Sequence, residues 1–149
     1  MTGVPLSPLV GPVGEVVVGA EPVVVATGDR PTARVRVENT SEWPVVITSH
    51  FHFFEANRRL RFDRAAAFGL HLDLPAGSSA RFDPGETREV ELVGYAGARA
   101  LHGFNGLTNA VLGTGEELER QRAAAVARAR AAGFLDVPTD DTPTDDTDR

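Results

Sequence analysis

Two histidines stand two residues apart, His50 and His52, with Glu55 three further on, inside the segment SHFHFFEANRRLRFDRAAAFG, residues 49–69. Residues i and i+2 of a β-strand point to the same face, so such a pair can bring two imidazoles to one metal ion. A metal held there would make the chain a metal-dependent enzyme. Four arginines follow closely, Arg58, Arg59, Arg61 and Arg64. Their planar guanidinium groups suit an anion or a carboxylate-bearing partner.

The metal reading lacks its second half. On a regular strand His50, His52 and Phe54 share one face, and Phe51, Phe53 and Glu55 share the other unless a bulge intervenes. The remaining histidines, His71 and His102, sit in no second ligand motif. PAGSSARF has the turn of a cupin second motif but places Ser and Arg where a ligand should stand. A cupin-like metal-dependent enzyme using His50 and His52 is therefore the alternative reading, and a packed strand with imidazoles at its rim is the preferred one. Ser49 and His50 are adjacent and point apart, so they form no nucleophile–base pair. The sequence holds no GxSxG elbow, P-loop or GxGxxG. Asp73, Asp83 and Glu86 read as turn and rim carboxylates.

Composition narrows the function classes. The chain of 149 residues carries a formal charge of -6, which gives no basic footprint for nucleic acid. An acidic chain repels a polyanion, so the arginine cluster reads as the charged rim of a protein interface. A stand-alone β-sandwich module that uses the cluster to bind an acidic ligand is the second alternative. Cysteine is absent, which removes disulfides and thiolate metal sites. The opening MTGVPLSPLVGPVG lacks the basic and long apolar regions of a signal peptide. No run approaches the roughly 20 apolar residues of a membrane span. The expected compartment is the cytoplasm.

The elements that must position these residues are mostly strands. Residues 1–12 read as a flexible Pro- and Gly-bearing arm. Residues 13–110 read as a β domain. EVVVGAEPVVVATG gives two short valine-rich runs. TARVRVEN alternates, with Ala33, Val35 and Val37 on one face and Thr32, Arg34, Arg36 and Glu38 on the other. NTSEWP is a turn; Trp43 within it is either a core lid or a contact residue. VVITSHFHFF is expected as one long strand, and DRAAAFG as one or two helical turns with Asp63 as N-cap and Gly69 as stop. LHLDL, SARF and TREVELV follow as strands, and ARALHGF could be a last one. Residues 111–135 hold a helix opened by a Thr114–Glu117 capping box and closed at Gly133. Its weakly apolar stripe of Leu118, Ala125, Ala129 and Ala132 predicts light docking. Residues 136–149, with the near-repeat TDDTP then TDDTD, are expected to be a disordered acidic tail. The fold class is mainly β, a small antiparallel sandwich or partial barrel with a C-terminal helix.

At family level, GEVVVGAEPVVV, the long run from VRVENTSEWP through PGETREVELV, and ARALHGFNGLTN closely resemble the β subunit of urease, from about Gly14 to Asn109. The resemblance implies a bent-ribbon, β-clip-like partial barrel. It implies a non-catalytic subunit of a complex that hydrolyses urea to ammonia and carbamate. Two nickel ions would sit in the α subunit, bridged by a carbamylated lysine, and this chain would carry no cofactor, catalytic residue or metal ligand. The chain contains no lysine. The partners implied are α and γ subunits, as heterotrimers associating in threes, with no nucleic acid and no membrane. The short leader before the β region fits the unfused, three-subunit type. Within that frame His50, His52, Phe54, Arg58, Arg59, Arg61 and Arg64 are the candidate subunit contacts.

Overall fold

A computed structural model describes residues 13–16, 18–21 and 28–137. Eight strands are present among them: β1 Thr32–Asn39, β2 Val45–Thr48, β3 Leu60–Arg61, β4 Leu70–Leu72, β5 Ser79–Phe82, β6 Thr87–Gly94, β7 Ala100–Leu101 and β8 Ala110–Val111. One helix, α1 Gly115–Ala131, follows. The second valine-rich run lies largely outside the described residues. The described residues of the first run form no strand, and Val16 and Val18 are exposed.

The alternation in β1 sets the architecture. Val35 and Val37 are buried while Arg34 and Arg36 face water. β1 pairs antiparallel with β6 from Thr32↔Val93 to Glu38↔Thr87. β3 and β4 extend this to a four-stranded antiparallel sheet in the order β3-β1-β6-β4. β2 pairs with β5 from Val45↔Phe82 to Thr48↔Ser79, and β7 with β8. The curled sheet and the two two-stranded sheets make a mainly β half-barrel. The side chains of Val37, Phe53, Phe62, Phe82 and Leu92 fill its interior.

The expected long strand 45–54 ends at Thr48. Phe51 N–H donates back to the Thr48 carbonyl, and Phe53–Glu55 then form a 3-10 helix. A strand would send Phe53 and Phe54 to opposite faces. The 3-10 turn buries both completely. DRAAAFG is likewise a pair of turns, in which Asp63 Oδ1 accepts from Ala66 N–H at 2.9 Å. Gly69 ends it with φ +77°.

The capping box does not form, since the Thr114 side chain makes no cap bond. Gly115 has φ +53°, which turns the first peptide out of the helical path and the hydroxyl with it. Gln121 ties the helix to the loop before it, accepting from Gly113 N–H at 3.0 Å and donating to the Val111 carbonyl at 3.1 Å. The Gly133 stop forms as read: Phe134 N–H bonds the Ala129 carbonyl and Gly133 N–H the Arg130 carbonyl, the paired bonds of a Schellman motif. Ala125 and Ala129 belong to the core, so α1 docks more closely than its stripe predicts, while Ala132 faces out. Among the described residues no helix is long and apolar enough to cross a membrane.

Candidate functional site

The 3-10 turn brings His52 and Glu55 together, although strand parity would have kept them apart. His52 Nδ1 lies 2.6 Å from Glu55 Oε2, and both side chains are buried. Gly69 N–H donates to His52 Nε2 at 2.9 Å. A backbone amide can only donate, so Nε2 carries the lone pair and Nδ1 carries the proton given to Glu55. Glu55 Oε1 accepts from Leu107 N–H at 2.6 Å, and the Glu55 carbonyl accepts from Asn105 Nδ2 at 2.6 Å. Burial alone pushes the Glu55 carboxyl upward. Hydrogen bonds from His52, Leu107 and Thr108 outweigh it and hold the group below its ordinary range.

This arrangement does not fit a metal ion. Both nitrogens of His52 are committed, and the described residues contain no group of three or more His, Asp or Glu able to hold a metal. His50 is exposed, and it is the His50 carbonyl that is engaged, by the Tyr95 hydroxyl at 2.6 Å. The His-x-His pair is therefore split between surface and interior.

What the pair braces is the loop from His102 to Asn109. Gly103, Phe104, Gly106 and Asn109 all have left-handed φ. For Phe104, at φ +47°, that conformation costs roughly 1–2 kcal/mol. Leu107 and Asn105 are pinned by Glu55, Gly103 N–H is held by Asn109 Oδ1 at 2.9 Å, and Arg128 Nε on α1 donates to the Leu107 carbonyl at 2.8 Å. Phe104 packs edge-on against Phe51 at 5.1 Å and keeps a partly exposed ring. The sequence reading missed this loop as a site. Its signal was the run HGFNGLTN, whose two glycines and two asparagines tolerate left-handed φ.

The seven candidate contact residues divide. His52, Phe54 and Arg64 are buried within the chain, so their side chains are not presented to a partner. Arg64 donates to five carbonyls: Leu135 at 2.6 Å, Phe54 at 2.7 Å, Leu60 at 2.8 Å, Ala56 at 3.1 Å and Asn57 at 3.2 Å. It also stacks on Phe62 and Phe134. Burial pushes its pKa down to about 10, against the opposing charge of Asp136; it stays a cation at neutral pH. Arg64 thus ties the segment after α1 to the β domain, a role that local sequence gives no means to see. His50, Arg58, Arg59 and Arg61 are exposed. Arg61 pairs with Glu38 at 2.8 Å. Arg58 joins Pro44, Val46, Phe51, Asn105 and Phe134 around one open groove. Trp43 stands exposed, carried by a turn in which Asn39 Nδ2 donates to the Trp43 and Phe82 carbonyls. That removes the core-lid reading of Trp43.

These features define a small β module in which His52, Glu55 and Arg64 are turned inward, onto one another or the chain's own backbone, with an aromatic and arginine-bearing face left open. Comparison with known proteins gives the class. The family described as "Urease beta subunit" matches residues 13–111. The chain is 53% identical over 107 residues to a urease subunit gamma/beta of Pseudomonas syringae, covering 72% of this chain and 45% of that protein, so it spans less than half of that relative. It is 46% identical over 125 residues to urease subunit beta 2 of Brucella abortus, covering 83% and 78% of the two chains. It is also 46% identical over 124 residues to the urease subunit beta of Haloarcula marismortui, covering 83% and 85%. The chain belongs to the urease beta subunit family.

Proposed function

We propose that this chain is the non-catalytic β subunit of a cytoplasmic urease assembled from α, β and γ subunits. In this reading urea is hydrolysed to ammonia and carbamate at a di-nickel centre in the α subunit, and the heterotrimers associate in threes. The observation that carries the division of labour is the commitment of His52. The tempting half-site is closed by Gly69 N–H on one nitrogen and by Glu55 on the other. Neither His52 nor Glu55 is then free to polarise urea, and in this reading the chain's part is to hold a rigid face against its partners.

The contact face is the exposed set His50, Arg58, Arg59 and Arg61 with Trp43 and Phe104 beside it. Obligate interfaces bury roughly 2,000 Å² or more and favour aromatic and arginine anchors. The chain should be purified alone and with its α and γ partners, and nickel content and urea hydrolysis measured on each. Nickel and activity confined to the assembled fraction support the reading. Stoichiometric metal on the lone chain overturns it.

A further inference from the structure

Residues 44–47 all line one open groove. Successive strand residues point to opposite faces, so a groove that meets four in a row runs along the strand's edge rather than across one face. Its other wall is built by Phe51, Asn57, Arg58, Asn105 and Phe134.

The pairing of β2 fixes which backbone groups meet that edge. Ser49 N–H donates to the Ser78 carbonyl at 2.9 Å, one step beyond the Thr48↔Ser79 pair. Hydrogen-bonded and non-hydrogen-bonded pairs alternate in an antiparallel ladder. Val45, Ile47 and Ser49 therefore bond toward β5, while Val46 and Thr48 turn their N–H and C=O to the opposite edge. The Thr48 carbonyl is taken by Phe51 N–H. The Val46 N–H and C=O and the Thr48 N–H have no hydrogen bond among the described residues. Val46 is 53% exposed. Such an edge is a template for another strand.

The wall beside it sets what that strand must carry. Phe51 and Phe134 offer apolar surface, and no Asp or Glu lines the groove. The Arg58 guanidinium is exposed and has no hydrogen bond or ion pair among the described residues. A planar guanidinium in that position is matched by a carboxylate. A second copy of β2, VVIT, would bring none.

We propose that β2 receives an extended segment of a partner subunit as a third strand, with an apolar side chain against Phe51 and Phe134 and a carboxylate on Arg58. This strand addition rests on the subunit-contact reading above.

Amide exchange is read on the full chain alone and in the complex with its α and γ partners. Val46 and Thr48 should exchange fast in the lone chain and slow at least about tenfold on assembly. Val45 and Ile47 should be slow in both states. Val46→Pro removes the outward N–H and leaves the bonds to β5 in place, as proline on an edge strand does. It should weaken assembly about tenfold or more, and Val46→Thr should not. Assembly that leaves Val46 and Thr48 unprotected overturns the strand addition, whatever the proline variant does to folding. Assembly weakened by Arg58→Glu but not by a folded Val46→Pro also overturns it and keeps the contact reading. Protection that appears in the lone chain as its concentration rises makes the occupant a second copy and overturns the partner assignment. A wild-type chain that does not assemble sinks the subunit reading and the strand addition together.

Discussion

His52 and Glu55 form a closed donor–acceptor circuit: Nδ1–H to Oε2 at 2.6 Å, with Nε2 facing Gly69 N–H at 2.9 Å and Oε1 facing Leu107 N–H at 2.6 Å. Both carboxylate oxygens must accept. An amide has only one acceptor oxygen, so Glu55→Gln sets an N–H against an N–H in either orientation. Reversing the His52 tautomer moves the conflict to Gly69. The expected cost is about 2–4 kcal/mol, read as a lower denaturant midpoint at unchanged slope. An unshifted midpoint would show that the circuit is dispensable.

The same carboxylate makes stability depend on pH. Its folded pKa is depressed, so its contribution is present above the ordinary Glu value of about 4.3 and is lost as pH falls through the lower folded value. Denaturation curves should show stability declining below about pH 4.3. The part of that decline due to Glu55 should vanish in Glu55→Gln.

Arg64 is irreplaceable by another cation. Lysine offers three donors from one point and cannot serve five carbonyls arranged around a planar fork. Arg64→Met should cost about 3–5 kcal/mol, and Arg64→Lys should recover little of it. Amide exchange would show the loss at Leu135, whose carbonyl takes the shortest of the five bonds. Near-wild-type stability of the lysine variant would contradict this account.

Gly69 combines φ +77° with a close neighbour, because an added Cβ would meet Leu112 Cδ1 at 3.0 Å. Gly69→Ala should destabilise by about 1–2 kcal/mol. It should also shift the His52 ring resonances, since the same residue's N–H fixes that imidazole. Unmoved resonances would mean that the backbone absorbs the change elsewhere.

Arg58→Glu with Arg59→Glu should leave the isolated chain's stability within about 0.5 kcal/mol, as exposed changes do. Complex formation with α and γ partners should weaken. Unfolding of the variant, or undiminished assembly, would each refute the assignment of these two residues.

Much of the β framework was legible from residue patterning. Thr32–Asn39 alternates because one face is core and the other is water, and that strand ends where its pattern does. The Gly133 stop was legible because a helix ending in a left-handed residue favours glycine. The stretch 49–69 was not. Consecutive aromatics at Phe53 and Phe54 fit a β-strand locally, and only tertiary packing makes a 3-10 turn that buries both. Arg64 resembles its surface neighbours in composition, yet its acceptors come from four positions in the preceding turns and from Leu135. The capping box failed because Gly115 redirects the first turn, which the pattern alone does not exclude.

The Arg64–Leu135 bond joins residues 71 positions apart, and it carries a consequence for synthesis. While the chain emerges N-terminal end first, the β domain is complete in sequence long before Leu135 exists. Until then the guanidinium lacks its shortest acceptor and Phe134 does not cover it. Contacts of such sequence separation form late because loop closure precedes their reward. The nascent domain therefore stays incompletely sealed at Arg64 until Phe134 and Leu135 have emerged to cover it.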